Sequence, residues 1–172
     1  MAKPQRKSPR REKPEFEQKM LDLARVTRVV KGGRRFRFRA TLVIGDRKGR
    51  VGVGVAKGAD VASAIQKAFN DAKKNMITVN LSGSTILHDV SAKLGSAKVL
   101  LKPAHIGRGV IAGGAVRAVV DLVGITDIVS KSLGSSNPLN VARVTIKALE
   151  DLKQEKKKEA APVAETANQE VK

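Results

Sequence analysis

The sequence predicts an α+β fold in which three strands and a helix precede a second layer of mixed strands and helices. Three observations support this prediction: basic and apolar residues alternate over 35–44, glycine-rich turns flank that stretch, and apolar residues recur at helical spacing over 61–76. Alternation is typical of a strand, and recurrence every three to four residues is typical of a helix. The folded region is predicted to run from about Met20 to Leu152, and its length leaves open one domain or two small ones.

The first two strands are predicted to form a hairpin. Leu21–Val30 is the first strand, with an irregularity expected near Ala24-Arg25, where the alternation slips. Lys31-Gly32-Gly33-Arg34 is the turn, because paired glycines supply the positive φ angles that a tight hairpin needs. In the second strand, Arg35–Ile44, successive side chains point to opposite faces, so a row of guanidinium groups stands in front of an apolar core. The basic row is Arg35, Arg37 and Arg39, and the apolar row is Phe36, Phe38, Ala40, Leu42 and Ile44.

A third strand and a helix complete the first half. After a turn at Gly45–Gly49, the strand Arg50–Ala56 contains Gly52 and Gly54, which leave one face bare so that another backbone can approach closely. Asp60 is predicted to be the N-cap of the helix. The apolar face of this helix consists of Val61, Ile65, Ala68, Phe69, Ala72 and Met76. An amphipathic helix of this kind is predicted to lie on the sheet, with Lys67 on its outer side.

The second half begins at about Asn80 and contains no internal repeat. Strands are predicted over Ser84–Val90, Lys98–Lys102 and Ile125–Leu133. A final helix is predicted to begin at Pro138, because proline is favoured at the first helical position. Strands and helices are therefore intermixed in this half, which is typical of an α/β layer.

An almost wholly apolar helix, Ala115–Val123, is predicted after the glycine-rich loop Gly107–Gly114. Its charged residues Arg117 and Asp121 are four residues apart and are expected to pair on an exposed stripe. The loop fails the tests for a nucleotide-binding motif, since no Lys-Ser or Lys-Thr follows it and Ala112 replaces the third glycine of a dinucleotide fingerprint. Two interpretations stay open, a phosphate site of backbone N–H groups or close packing alone. The candidate residues for a phosphate loop or a protein interface are Gly107, Arg108, Gly109, Gly113, Gly114 and Arg117.

Both ends of the chain are predicted to be disordered. Residues 1–19 form a basic extension, and its first fourteen residues are rich in Lys, Arg and Pro and have too little apolar surface to pack alone. Residues 153–172 consist mainly of Lys, Glu and Ala, and are expected to form a frayed helix end followed by a disordered tail.

Positive charge is concentrated in one region of a chain whose net charge is +18 over 172 residues. Residues 25–57 contain eleven Lys or Arg and a single acid, Asp46. Such a concentration favours binding to a polyanion such as RNA, whereas charge that serves solubility usually mixes both signs. An anionic membrane is a poorer match, because the Arg row lies on a predicted strand and no apolar run is long enough to span a bilayer. The candidate RNA-binding residues are Arg25, Arg28, Lys31, Gly32, Gly33, Arg34, Arg35, Arg37, Arg39, Arg47, Lys48, Arg50 and Lys57.

Catalytic and metal sites are not indicated. The chain contains no cysteine, and its two histidines, His88 and His105, show neither metal-ligand spacing nor an orienting acid. Asp89 and Asp127 are expected to be structural. No cofactor, metal or enzymatic activity is predicted. With four Phe and no Trp or Tyr, the composition favours recognition of RNA backbone and shape over base stacking, and the absence of an apolar signal segment makes the cytoplasm the default location.

Four motifs, in order along the chain, resemble those of the bacterial small-subunit ribosomal protein five family (S-five). They are Val29–Phe36; Gly49–Gly52 with Ala64–Ala68; Gly107–Val119; and Gly134–Val141 with Arg143 and Thr145. The resemblance covers about Leu21 to Leu152. It implies two domains: residues 20–79, which resemble a double-stranded-RNA-binding fold without its leading helix, and residues 80–152, an α/β domain of the S-five domain-two type. The second fold is expected to contain a left-handed βαβ crossover, although such connections are nearly always right-handed.

The resemblance also implies a function in the small ribosomal subunit. The expected role is to bind ribosomal RNA, support subunit assembly and contribute to decoding accuracy near the path by which messenger RNA enters. The expected neighbours are small-subunit proteins four and eight, with no membrane contact and no homo-oligomer. Lys31–Arg34 would lie beside the spectinomycin site, and Arg108 and Arg117 would lie near the surface that faces protein four.

Two other classes of function stay open. A free RNA chaperone or processing factor would bind many unrelated RNAs tightly and would have no stable place in the subunit. A nucleotide-using enzyme would bind ATP saturably through the glycine-rich loop, and substitution of Gly113 or Gly114 would alter that binding. For a ribosomal protein, the expected location is on ribosomes in the cytoplasm.

Overall fold

A computed structural model of the chain describes residues 15–159, with side chains described as far as Leu152. The first sheet has four antiparallel strands in the order β1-β2-β3-β4. The elements are β1 (Glu17–Val30), β2 (Gly33–Gly45), β3 (Arg50–Gly58), the helix α1 (Val61–Lys74) and β4 (Met76–Thr78). The predicted succession of three strands and a helix is confirmed. The edge strand β4 was not predicted, because three residues are too few to show an alternation.

Strand β1 begins earlier and bends at a different place than predicted. Residues 17–19, which were predicted to belong to the disordered extension, pair with the last three residues of β2. The register shifts between Met20 and Asp22 rather than near Ala24-Arg25. This shift leaves Leu21 as the extra residue of a bulge. Leu21 is half-buried and packs against the larger apolar core, so the bulge turns an apolar side chain inward.

Helix α1 packs directly on β3 at glycine positions. A Cβ added at Gly54 would collide with the backbone of Ala68 and Ala72, and one added at Gly52 would collide with the carbonyl of Ala72. The predicted close approach of a second backbone is therefore confirmed. Asp60 occupies the N-cap position, where its backbone carbonyl accepts a helical N–H bond while its side chain makes no capping hydrogen bond.

The second sheet has four strands in the order β5-β6-β8-β7. Its elements are β5 (Val90–Leu94), β6 (Ala97–Pro103), β7 (Val110–Ile111), the helix α2 (Gly114–Val123), β8 (Ile128–Gly134) and the helix α3 (Pro138–Glu159). Strands β5, β6 and β8 are antiparallel, whereas β7 runs parallel to β8 and is connected to it through α2. The α/β character of this half is confirmed. The hand of the β7–α2–β8 crossover stays a prediction.

Two strand predictions in this half were wrong. Ser84–Val90 is not a strand, because only an isolated bridge between Ser82 and Thr85 forms there, and the strand β5 starts at Val90. Strand β8 starts at Ile128 instead of Ile125. The residue before it, Asp127, uses its side chain to hold a neighbouring loop, as described below.

The final helix begins where the sequence predicts. Helix α3 starts at Pro138 and continues to Glu159, so the helix end expected from about Lys153 onward is part of it. Lys, Glu and Gln are good helix formers, which explains the continuation beyond the packed core. The predictions made for residues 1–14 and 160–172 lie outside the described part of the chain.

The two sheets share one apolar core. The first sheet contributes Val43, Val51 and Val53 to a cluster that otherwise consists mainly of residues from the second half. The contact is close because Gly45 has no side chain: a Cβ there would collide with the backbone of Leu122 in α2. Helix α1 covers the opposite face, so Ala40–Gly45 are buried on both sides. A division of the chain at residues 79 and 80 stays a prediction.

An ion pair also joins the first sheet to α2. Nζ of Lys19 in β1 lies 3.5 Å from Oδ2 of Asp121 in α2. The predicted pair between Arg117 and Asp121 is not among the ion pairs of residues 15–152, and Arg117 is exposed. The prediction was wrong because β1 begins early enough to bring Lys19 against α2.

Candidate nucleic-acid interface

The β1–β2 hairpin extends beyond the core. Strand β2 is exposed over Gly33–Arg37 and buried over Ala40–Gly45. Strand β3 ends at Gly58, which pairs with Phe38, so it supports only the buried half of β2. We call residues 24–39 the hairpin arm.

Cations occupy one face of the hairpin arm. Opposed residues of antiparallel strands have side chains on the same face. The register pairs Arg28 with Arg35, Val26 with Arg37 and Arg39 with Lys57. Four of these cations, Arg28, Arg35, Arg37 and Lys57, are exposed and have no acidic partner among residues 15–152. We call them the basic face; together with Val26 and Thr27 they line a depression of about 240 Å³.

Arg39 lies on the same side of the sheet but is bound within the protein. It is half-buried, and its Nη2 donates a hydrogen bond to Oδ2 of Asp22 at 3.2 Å. Its Nε is buried and has no hydrogen-bond partner among the described residues. Arg39 is therefore a less accessible cation than the four of the basic face. Asp22 was not singled out in the sequence, because its place opposite Thr41 follows from the bulge in β1.

The turn between β2 and β3 is held in place by Asp46. Its carboxylate accepts bonds from the backbone N–H groups of Lys48 and Arg50, at 2.8 and 3.0 Å, and from Nε of Arg50 at 2.6 Å. Burial raises the pKa of Asp46, but the bonds from Arg50 and Lys48 outweigh it, so the net pKa lies below the ordinary value. The backbone N–H groups of Arg47 and Gly49 donate to the last carbonyls of α2.

Three predicted RNA-binding residues lie in or beside this turn, at the opposite end of β2 from the hairpin tip. Arg50 is occupied by Asp46 and Glu15, and Arg47 pairs with Glu17 at 2.7 Å. The side chain of Lys48 is exposed. At about 3.3 Å per residue, the thirteen residues of β2 separate the turn from the tip by about 40 Å. The structure therefore does not bring these residues together with the basic face.

The hairpin tip is open on all sides. Lys31, Gly32, Gly33 and Arg34 are exposed, and a Cβ added at either glycine would meet no atom within 4 Å. Gly33 has a φ of 151°, in the region that side chains rarely adopt. The tip continues the arm without a contact to the second sheet, as the sequence predicted for a projecting basic turn.

The face of the arm opposite the basic face mixes apolar side chains with the cations Arg25 and Arg34. It carries Phe36, which is 46% exposed, and Val29, which is 74% exposed. The guanidinium of Arg25 lies over the Phe36 ring, 4.6 Å from its centroid. Phe36 is thus a surface residue, contrary to the expectation that the whole apolar row of β2 faces a core. Helix α1 covers this face of β2 only as far as Phe38, which packs with Ile65 and Phe69.

A depression of about 200 Å³ lies where the arm, the end of β3 and α1 meet. Phe36, Lys57 and Lys67 are among the residues that line it. Lys67 was not recognised as a functional candidate, because a lysine on the outer side of a helix is typical of a solvated surface. Only the tertiary position of α1 places it beside the arm.

The predicted glycine-rich loop is divided into two separate regions. Gly107, Arg108 and Gly109 form a turn before β7, whereas Gly113 is the N-cap of α2 and Gly114 its first residue. The first region is held by Asp127, whose Oδ1 accepts bonds from Gly107 N and Gly109 N at 3.0 and 2.9 Å. The bond from Gly109 contributes most, and together these bonds hold the pKa of Asp127 below its ordinary value, although burial raises it. The expected structural role of Asp127 is confirmed, and Arg108 projects from this turn into solvent.

The second region lies where two helices begin. Gly113 and Gly114 line a cavity of about 460 Å³ together with Ser132, Ser135 and Pro138. Arg117 is one turn further along α2. The structure therefore separates Arg108, on a turn held by Asp127, from the glycines at the start of α2.

The described residues form neither a metal site nor a membrane-spanning helix. Within residues 15–152, no three His, Cys, Asp or Glu side chains are grouped in a way that could hold a metal ion. In the part of the chain that the structure describes, the helices are too short or too polar to cross a bilayer.

Comparisons with known proteins match both halves of the chain. Residues 16–80 match the family model of the ribosomal protein S5 N-terminal domain, and residues 92–162 match that of the ribosomal protein S5 C-terminal domain. Proteins named small ribosomal subunit protein uS5 from three strains of Campylobacter jejuni are each 58% identical to the chain over 139 residues. The aligned region covers 81% of this chain and 95% of each relative.

Proposed function

Because the chain belongs to the ribosomal protein S5 family, we propose that its hairpin arm binds the phosphate backbone of small-subunit ribosomal RNA. The family consists of structural ribosomal proteins rather than enzymes, and the chain is a small-subunit protein that is bound to ribosomes in the cytoplasm. The hairpin arm is the proposed surface of contact with the RNA.

The observation that supports the proposal is a set of four exposed cations on one side of the hairpin, none with an acidic partner among residues 15–152. Arg28, Arg35, Arg37 and Lys57 face solvent together, while their strands are fixed below by helices on both faces. Because the strands that bear these cations are already fixed, binding to phosphates orders the side chains without an added cost for the backbone. Neutralising each phosphate releases condensed counterions, which supplies much of the affinity.

The same geometry favours recognition of backbone shape over base sequence. Guanidinium groups and ammonium groups on a sheet surface reach phosphate and sugar atoms, and these contacts fix the register of a protein on RNA without reading bases. A protein that binds in this way stabilises the folded RNA, and we propose that support of subunit assembly follows from it. The hairpin tip, Lys31–Arg34, extends the basic face by one turn toward neighbouring RNA, including messenger RNA near its entrance path.

The salt dependence of RNA binding tests this proposal. Replacing Arg35 and Arg37 together by Ala should weaken binding to small-subunit ribosomal RNA. The slope of log K against log salt concentration should decrease by about 1.5, since each phosphate contact contributes about 0.7–0.9. The matched control is the Lys93→Ala, Lys98→Ala double variant, which loses the same charge from opposed positions on the second sheet. Equal effects of both double variants would mean that net charge, not the basic face, determines binding.

We further propose that the second half contacts neighbouring small-subunit proteins and contributes to decoding accuracy. Arg108 and Arg117 are exposed on two separate elements of this half, and we assign them to contact protein four; protein eight is the other proposed neighbour. Cells whose only copy carries Arg117→Ala should show a changed rate of stop-codon readthrough. Cells with Lys131→Ala, an exposed cation on β8, should not.

Fractionation of a cell lysate separates this function from that of a free RNA chaperone. A ribosomal protein sediments stoichiometrically with small subunits and is released only at high salt. A chaperone would remain at the top of the gradient at every salt concentration and would bind unrelated RNAs as tightly as ribosomal RNA.

A further inference from the structure

We propose that the depression between the hairpin arm and α1 binds one unpaired nucleotide of the RNA, with its base stacked on Phe36 and its phosphate beside Lys57 and Lys67. This inference rests on the proposed RNA-binding function. It adds a base contact to an interface that the composition of the chain had suggested to be limited to backbone and shape.

The first observation is the exposure of an aromatic ring on the face of the arm opposite the basic face. Phe36 is 46% exposed, although its neighbour on the same side of β2, Phe38, is covered by α1. One face of the Phe36 ring is covered by Arg25 at 4.6 Å, which fixes the ring by a cation–π contact. A ring that is held from one side and accessible from the other is suited to stack with a planar base.

The second observation is the space beside the ring. Strand β3 ends at Gly58, so no strand of the described chain pairs with β2 beyond Phe38 on this side. The resulting depression, about 200 Å³, lies next to the ring, and is bounded by Ala59 and by Lys67 of α1. Its walls are small residues and cations, without an acid among the residues that line it.

The third observation is the charge around this space. Lys57 and Lys67 both line the depression and are exposed, and neither has an acidic partner among residues 15–152. A stacked base alone would not explain two lysines at the rim, and a phosphate alone would not explain an open aromatic ring. A nucleotide satisfies both. Because Lys57 is also part of the basic face, the same RNA strand can continue from one site to the other.

Substitution of Phe36 tests the stacking contact. Phe36→Ala should weaken binding of the full chain to small-subunit ribosomal RNA by about 5- to 150-fold, the range for loss of one base–aromatic stack. The salt slope should stay unchanged, because stacking releases no counterions. Phe36→Leu keeps an apolar side chain without a ring, and should lose as much affinity as Phe36→Ala, while Phe36→Tyr should bind like the parent. Circular dichroism of each variant confirms that it is folded.

Fluorescence provides an independent measurement. The chain contains no Trp or Tyr, so Phe36→Trp introduces its only strong fluorophore. Its emission should be quenched when ribosomal RNA is added, whereas that of Ile106→Trp, placed at a side chain that is 89% exposed in the second half, should not. Quenching that appears only in assembled subunits, with RNA alone having no effect, would assign the ring to a protein contact and overturn the proposal.

The contact between Lys67 and a phosphate is tested separately, with Lys74 as the control. Lys67→Ala should decrease the salt slope by about 0.7, the value for one phosphate of a single strand. Lys74→Ala, two helical turns along the same face of α1, should leave it unchanged. Full affinity of Phe36→Ala or Phe36→Leu would refute base stacking while leaving the basic face intact. If the unsubstituted chain itself did not bind ribosomal RNA, the proposed function would be refuted instead.

Discussion

The two halves of β2 differ in sequence pattern and in surroundings: basic and apolar residues alternate over residues 35–39, whereas residues 40–45 are almost all apolar. From Ala40 to Gly45 the strand is buried on both faces, by α1 on one side and by α2 and its neighbours on the other. From Gly33 to Arg37 it is exposed on both faces. The alternation specifies which side chains share a face, whereas the helices decide which part of that face is core. The cations are left on the part that no helix reaches.

The largest difference between the two regions should appear when the same substitution is made beside each, at Gly54, which pairs with the buried half of β2, and at Gly32, in the turn next to the exposed half. Gly54→Ala places a Cβ against the backbone of α1, and should destabilise the fold by about 2–4 kcal/mol. Gly32→Ala at the hairpin tip meets no atom within 4 Å and should change the free energy of unfolding by less than about 0.5 kcal/mol. Urea denaturation of both variants measures the difference. Similar values for the two would show that α1 does not press on β3 as described.

A smaller difference should distinguish the two turns at the ends of β2. Asp46→Asn should cost about 1–2 kcal/mol at pH 7, because the carboxylate accepts three hydrogen bonds that an amide cannot fully replace. The pKa of Asp46 is lowered in the folded state, so its contribution is complete above the unfolded value near 3.9 and is lost as pH falls through the folded pKa. The difference between the parent and the variant in urea denaturation should therefore shrink as pH falls below the unfolded value. A difference that does not change with pH would assign the effect to shape rather than charge.

The smallest effect on the free energy of unfolding is expected from the ion pair between Lys19 of the first sheet and Asp121 of α2. Lys19→Ala removes an exposed pair with Asp121 and should reduce the free energy of unfolding by at most about 0.5 kcal/mol, and by less at 1 M salt. Arg117→Ala, which would break the pair suggested by sequence spacing, should have no measurable effect on stability. If Arg117→Ala were the more destabilising of the two, the assignment of Asp121 to Lys19 would be wrong.

Local sequence patterns predicted the parts of the fold that depend on local interactions. The alternation of residues 35–44, the glycine turn before it and the helical spacing after Asp60 each correspond to the observed element. The close approach of α1 could also be anticipated, because Gly52 and Gly54 remove side chains from one face of β3.

Features that depend on distant residues could not be predicted in this way. Leu21 forms a bulge because it meets a core supplied mostly by the second half of the chain, and Lys19 meets Asp121 across more than one hundred residues. The same reason explains why Phe36 and Lys67 were not recognised as neighbours of one depression. Their proximity follows from where β3 ends and where α1 starts, which no single sequence window contains.

Anchoring at one end gives the hairpin arm the mechanical behaviour of a cantilever. The supported part of β2 runs from Ala40 to the turn at Gly45–Gly49, where backbone hydrogen bonds tie the turn to the last residues of α2. A load applied at Lys31–Arg34 would produce the largest displacement at the tip and the largest bending moment near Ala40, where the support begins. Because the supported part of β2 packs against α1 on one face and is tied to α2, a force on the arm would be transmitted as a torque to α2. The arm and the second half therefore respond to that load as one mechanical unit.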